Sequence, residues 1–364
     1  MQPRLPLSAL LSQALVAFTI EFDNEFEHRV PHRTSDFGGS RPAPYLVSMV
    51  MWLMVLRYIP EQGITGGELK HQCGLSQKQL RQLLERMSKW WGYVSIKPVA
   101  NQPESAWIVG PTSGGLKAIA VWRDLAAIIE RRWHARFGSD TVRDLAQALE
   151  AVVDQLDPNL PDYLPILGYE LKSGVPEDFS PPRPADSGPR TLPILLSRVL
   201  LSFAIEFETE SDFSLAVYAN FLRIAAEQKV RVKDIPRLSG VSKEAAAMAL
   251  DRLQKQGLAE VKNESSSSRL KVLAVNAEGR KKADACPKHL FEIETRWQKF
   301  GAGHITRLRA SLESIIQAES SEGPTFLMQA IAPYPENWRS QVPPREVLPH
   351  YPMVLHRGGY PDGS

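Results

Sequence analysis

Leu11, Leu15, Phe18 and Phe22 recur at spacings of four, three and four, an apolar stripe that predicts a helix from Leu7 to about His28. The stripe returns far down the chain. LLSQALVAFTIEF (Leu10–Phe22) comes back as LLSRVLLSFAIEF (Leu195–Phe207), and over 10–25 against 195–210 nine of sixteen positions are identical. Solenoid repeats have periods of ~20–50 residues. A period this long therefore points to a duplicated domain.

Between the two copies the pattern changes several times. Pro44–Tyr58 is a strongly apolar helix stopped by Pro60, and Glu68–Gln72 a short one. Gly74 and Leu75 form a turn. Ser76 and Gln79 then make a Ser-x-x-Gln capping box, opening a helix that runs to about Trp91 and stops at Gly92. Tyr93–Lys97 and Ala106–Val109 alternate as two short strands around a polar loop, and 112–137 and 141–156 are long helices. Residues 174–190 are rich in proline and form a linker.

The plan then repeats. Helices are expected over 191–207 and 213–228, with a further element at 232–238. Ser242 caps a helix that ends at Gly257, strands 258–262 and 269–275 flank a serine-rich tip, and helices 277–300 and 305–317 close the copy. Further echoes match Leu56-Arg57, Gly74, Ser76 and Arg86 to Leu222-Arg223, Gly240, Ser242 and Arg252, and Arg132-Trp133 to Arg296-Trp297. LPDYLPIL (160–167) rhymes with LPHYPMVL (348–355), so the second of these is expected to dock on the body of the protein. The expected domains are 1–173, the linker 174–190, a second unit 191–330, and a Pro/Tyr/Gly-rich tail 331–364.

Composition narrows the class. A chain of 364 residues that is 43% hydrophobic and 23% charged is globular and long enough for two domains, each with its own core. Net charge is +2, so any basic surface must be local. Two distant cysteines, Cys73 and Cys286, give neither a disulfide framework nor metal-ligand spacing, which fits a reducing cytoplasm. The most apolar run, Tyr45–Leu56, is shorter than the ~20 residues of a membrane span. The expectation is a cytoplasmic protein with no membrane partner.

The order helix, helix, short helix, turn, capped helix, two-stranded wing and long closing helices resembles the MarR-type winged helix-turn-helix regulators. The resemblance is carried by GVSKEAAAMALDRLQKQGLAEV (240–261), then Arg269 in the wing and the VNAEG turn (275–279). Asn276 stands where the family has a threonine, and PTSGG (111–115) keeps Thr112 and Gly115 in the first copy. The implied fold is mainly α with small β-wings: two winged helix-turn-helix domains, a Pro-rich linker and a helical pseudo-two-fold interface. The implied function is a DNA-binding transcriptional regulator and not an enzyme, self-associating as a pseudo-dimer within one chain. Its partner would be double-stranded DNA with an asymmetric operator, read by two heads ~34 Å apart, and a small-molecule effector would gate it. The alternative is a ligand sensor or interaction module that keeps the fold without binding DNA.

The expected DNA-contacting residues are Ser76, Gln77, Lys78, Gln79, Arg81 and Gln82 in the first copy, and Ser242, Lys243, Lys262, Arg269 and Lys271 in the second. Glutamine pairs with adenine edges, arginine with guanine and lysine with phosphate. Residues 64–92 carry +3, from Lys70, Lys78, Arg81, Arg86 and Lys89 against Glu68 and Glu85. The second capped helix is poorer, because Ala245, Ala246, Ala247 and Ala249 offer only methyl groups and Glu244 repels phosphate. An effector site is expected around His28, His32, Arg33 and Asp36. Glu21, Glu25 and His28 share a helical face and have the chemistry of a divalent-metal site, but a salt-bridged helix end with Arg29 is the expected reading. No metal, cofactor or catalytic residue is expected, since no catalytic triad order, phosphate loop or zinc spacing occurs. Trp52, Trp90, Trp91, Trp107, Trp122, Trp133 and Trp297 are expected in the core.

Overall fold

The computed structural model describes residues 4–30, 48–157, 160–164, 190–211, 213–264, 269–301, 303–316 and 347–353. Helix α1 (Leu7–Arg29) is buried on every side from Leu7 to Glu27. The single stripe read from the sequence is therefore too narrow. Ser12, Thr19, Glu21, Asp23, Asn24, Glu25 and Glu27 are buried along with the apolar residues. A helix enclosed all round belongs at the centre of a core.

Its matched helix α7 (Leu192–Ser211) is nearly as enclosed. The two pack on each other, with α6 (Ser139–Val153) and α13 (His304–Ile316) packing together beside them. Buried apolar residues form one continuous core from Leu7 to Met353. The expectation of a separate core for each half is corrected: α1 is enclosed on every side and α7 nearly so, and neither leaves an exposed face at which a core could end.

The first half continues through α2 (Ser48–Met54), a 3₁₀ turn at Leu56–Tyr58, β1 (Ile64–Thr65), α3 (Gly66–Cys73) and α4 (Gln77–Arg86). A π turn at Met87–Trp91 leads into β2 (Val94–Lys97) and β3 (Ile108–Pro111), and α5 (Ser113–Phe137) closes on α1 and α6. The second half has α8 (Leu215–Val217), a π turn at Tyr218–Leu222, α9 (Arg223–Glu227), β4 (Val230–Arg231), α10 (Ile235–Ser239) and α11 (Lys243–Lys255). It ends with β5 (Ala259–Asn263), β6 (Lys271–Val275) and α12 (Ala277–Trp297). Each half holds a three-stranded antiparallel sheet, ordered β1-β3-β2 and β4-β6-β5. Mostly helical, with small antiparallel sheets, the chain is consistent with a winged-helix fold.

The sequence pattern missed β1 and β4. Two residues cannot show an alternation, and both strands are held only by their partners, Ile64 opposite Val109 and Val230 opposite Leu273. Residues 44–47 of the second expected helix and 174–189 of the linker lie outside the described residues, as does most of the 331–364 tail.

Matched residues make matched contacts. Trp133 Nε1 donates to Glu21 (2.9 Å) and Trp297 Nε1 donates to Glu206 (2.7 Å). Phe18 meets Trp133 edge-on at 5.3 Å, and Phe203 meets Trp297 at 5.2 Å. Asp23 accepts from Met49 N (2.9 Å) and Glu208 from Leu215 N (3.3 Å), so a carboxylate on the first helix of each half receives the N-terminal amides of the next. The closing helices match as well. Thr112 accepts from Gly115 N (3.0 Å) and donates to Gly92 O (2.5 Å). Asn276 accepts from Gly279 N (2.9 Å) and donates to Gly257 O (2.6 Å). An amide supplies one acceptor and one donor, as a hydroxyl does, so asparagine fills the threonine position without losing either bond.

Candidate nucleic-acid interface

Helix α4 begins at a reciprocal cap. Gln79 N donates to Ser76 Oγ (3.3 Å), and Gln79 Oε1 accepts from Ser76 N (3.0 Å) and Ser76 Oγ (2.8 Å). Gly74 reverses the chain before it in the left-handed conformation (φ 65°). Ser76 and Gln79 thus fix the helix start, as the Ser-x-x-Gln spacing leads one to expect. Gln77, Lys78, Arg81 and Gln82 are exposed on the same helix. Arg81 lies 3.7 Å from both Glu85 and Glu104, the latter beside the wing. Exposed pairs of this kind contribute ~0–1 kcal/mol, so Arg81 re-pairs at little cost when a stronger anion arrives.

In the second half Ser242 is buried and caps α11 by accepting from Ala245 N (3.0 Å). Ala245 stands where Gln79 does in the first half, so the reciprocal side-chain bond is absent. Ser242, like Ser76, positions the helix. Lys243, Glu244 and Ala247 are exposed, while Ala245, Ala246 and Ala249 are buried and pack the helix onto its own half. The alanines read from sequence as a poor recognition face are mostly the inner face.

The second wing is the more basic. Lys262, Arg269 and Lys271 are exposed, with Lys262 2.7 Å from Glu260 on its own strand. Arg231 on β4 grips Glu264 at the wing through both Nε (3.1 Å) and a terminal nitrogen (2.9 Å). The sequence reading passed over this fork, because the strand that carries Arg231 is itself too short to recognise. The fork ties Glu264, the residue after β5, to β4.

The acidic end of α1 is a different kind of site. Glu21 accepts from Arg136 (2.7 Å) and Trp133, and Glu25 is paired with both Arg29 and Arg132. Burial pushes the Glu21 carboxyl up, and the donations from Arg136 and Trp133 pull it back. This is the salt-bridged arrangement expected with Arg29, extended by two arginines from α5 that spacing could not reveal. Among the described residues no three His, Cys, Asp or Glu side chains gather as a metal site. His28 is exposed at the end of α1. His32, Arg33 and Asp36 lie outside the described residues.

Cys73 and Cys286 are free and buried, and burial raises both thiols, that of Cys286 to about 12. Trp90 departs from the expected core placement. It is 42% exposed at the end of the π turn, with Lys89 Nζ 5.6 Å from its ring centre. No helix among the described residues is long and apolar enough to cross a membrane.

No protein-family model matches the chain, and no curated protein does. Among solved structures, a transcriptional regulator of the MarR family from Rhodococcus sp. RHA1 is similar to part of it. The identity is 22% and the TM-score 0.28, over 34% of this chain and 89% of that one.

Proposed function

We propose that the protein is a DNA-binding transcriptional regulator whose two halves are tandem copies of one winged-helix unit, paired as an intramolecular pseudo-dimer. The observation that carries this reading is the pair of capped helices. Each starts at a fixed serine, follows a left-handed glycine and stands beside a wing, and their exposed positions hold Gln77, Lys78, Arg81 and Gln82 in one half and Lys243 in the other. Gln77 and Gln82 offer base edges both a donor and an acceptor and Arg81 adds a donor fork from the helix itself, whereas the second half offers donors only, Lys243 at its helix start and Arg269 and Lys271 in its wing. In this reading the first head selects sequence and the second anchors on phosphates through its wing. The preferred duplex is then asymmetric. A small-molecule effector that gates binding is a further part of the proposal, motivated by the ionisable end of α1.

The test is binding to a labelled duplex recovered from a random pool, measured across salt concentrations. Affinity should fall steeply as salt rises, because each neutralised phosphate releases counterions. A double change of Lys78 and Arg81 to alanine should weaken binding and relax preference on one side of the site only. Absence of any retained duplex at low salt would overturn the reading. It would favour a sensor or interaction role, to which the single exposed cation at the start of α11, beside Glu244, also points.

A further inference from the structure

Gly240 turns the chain between α10 and α11 with φ 75°, and the space beside it is filled. A Cβ placed there would lie 2.2 Å from the carbonyl oxygen of Val347 and 2.8 Å from the nitrogen of Pro349. The tail therefore runs directly over the turn that aims the second capped helix. Buried Asn220, in the π turn before α9, holds it in place. Its Nδ2 donates to Tyr351 O (2.8 Å), and its Oδ1 accepts from His350 N (2.9 Å) and Tyr351 N (3.2 Å). Tyr351 and Met353 are buried. The segment also reaches the other half: Ser12 on α1 donates to Pro349 O (3.2 Å).

The rhyming segment of the first half is arranged the same way. Asp162 pairs with Arg57 of its own half and lies 3.5 Å from Arg198 on α7. Arg198 also donates to Leu160 O (2.7 Å), and Ser197 accepts from Leu164 N (2.8 Å). Ser197 and Ser12 are matched positions in the repeat. Each segment thus lies between its own helix-turn-helix and the interface helix of the other half. The chemistry differs. Asp162 becomes His350 and Arg198 is matched by Gln13, so the ionic set gives way to a neutral one closed by Asn220.

We propose that Val347–Met353 is a strap that sets the orientation of α11 from across the α1/α7 interface. An element touching both Ser12 and Gly240 transmits any shift of α1 to the turn before α11. The neutral contacts make this strap easier to release than its ionic counterpart, because no buried charge is left unpaired when it departs. The proposal holds whether or not the heads bind DNA.

The test is hydrogen exchange on the full chain and on a chain ended after residue 346. Deletion should raise exchange at least tenfold at α10 and the first turns of α11, and near Ser12, while α4 and the β1–β3–β2 sheet keep their protection. Asn220→Ala in the full-length chain should give the same pattern to a smaller degree. Unchanged exchange at α10 and α11 would overturn the strap. Loss of protection throughout both halves in both variants would also overturn it, by making the segment ordinary core.

Discussion

Two residues show how far a single side chain can be read here. Asn276 breaks the family-like threonine pattern in the sequence, yet makes both bonds that Thr112 makes. Asn276→Ala removes a helix cap and leaves Gly257 O without its side-chain donor, so it should cost ~1–2 kcal/mol in denaturant unfolding, while Asn276→Thr should cost far less. Equal losses for the two variants would mean that the cap contributes little. His350 makes a second case. Burial, and then the nearby Arg223, pushes its imidazole from an ordinary 6.5 down to about 3. The docked form therefore binds fewer protons than the released form between those values. Its contribution is present above about pH 6.5 and is lost as pH falls toward 3. Protease release of the tail should accelerate as the solution is acidified through that range, and His350→Gln should flatten the dependence.

At the scale of elements, matched contacts are not equally strong. Trp133 and Trp297 both donate to a glutamate on the first helix of their half, but the Glu21 side chain is 1% exposed and that of Glu206 is 31%. Water can replace a lost donor at Glu206 and cannot at Glu21. Trp133→Phe should therefore destabilise by ~1–2 kcal/mol and Trp297→Phe by less than ~1 kcal/mol, because buried Glu21 then keeps Arg136 alone on its two oxygens whereas water reaches Glu206. Comparable midpoint shifts in the two variants would contradict this. The same elements show what the sequence discloses. Long helices, caps and wing strands were legible because periodicity and Ser-x-x-Gln spacing are local signals. Exposed Gln77, Lys78, Arg81 and Gln82 were legible for the same reason. The roles of Arg132, Arg136, Arg231 and Asn220 were not, since each acts on a residue more than thirty positions away in the sequence or on a segment with no pattern of its own. Ser76, Gln79 and Ser242 were read both as caps and as DNA contacts, because a cap and a base-reading residue have the same polar chemistry, and the bonds to the helix start bear out the caps.

For the whole molecule, the central question is what holds the halves together. The chain between them is not needed as an adhesive. Helix α1 packs on α7 and α13, and α6 packs on α13 and α7. Leu11, Leu15, Phe18 and Phe22 share one core with Leu196, Leu200, Phe203 and Phe207. Each large apolar side chain in such an interface contributes ~1.5–3 kcal/mol on burial. Separation would also strand polar groups: Ser197 would lose Leu164 N, Arg198 would lose Leu160 O, and Leu192 N would lose Glu130. What the connection adds is effective concentration, which makes pairing of the halves first-order. A protease site placed within 165–189 and cleaved in the native protein should therefore leave two fragments that co-elute as one species of unchanged size. They should part only in denaturant, and at a midpoint that now depends on protein concentration. Fragments that separate in native buffer would show that the four central helices do not bind each other without the tether.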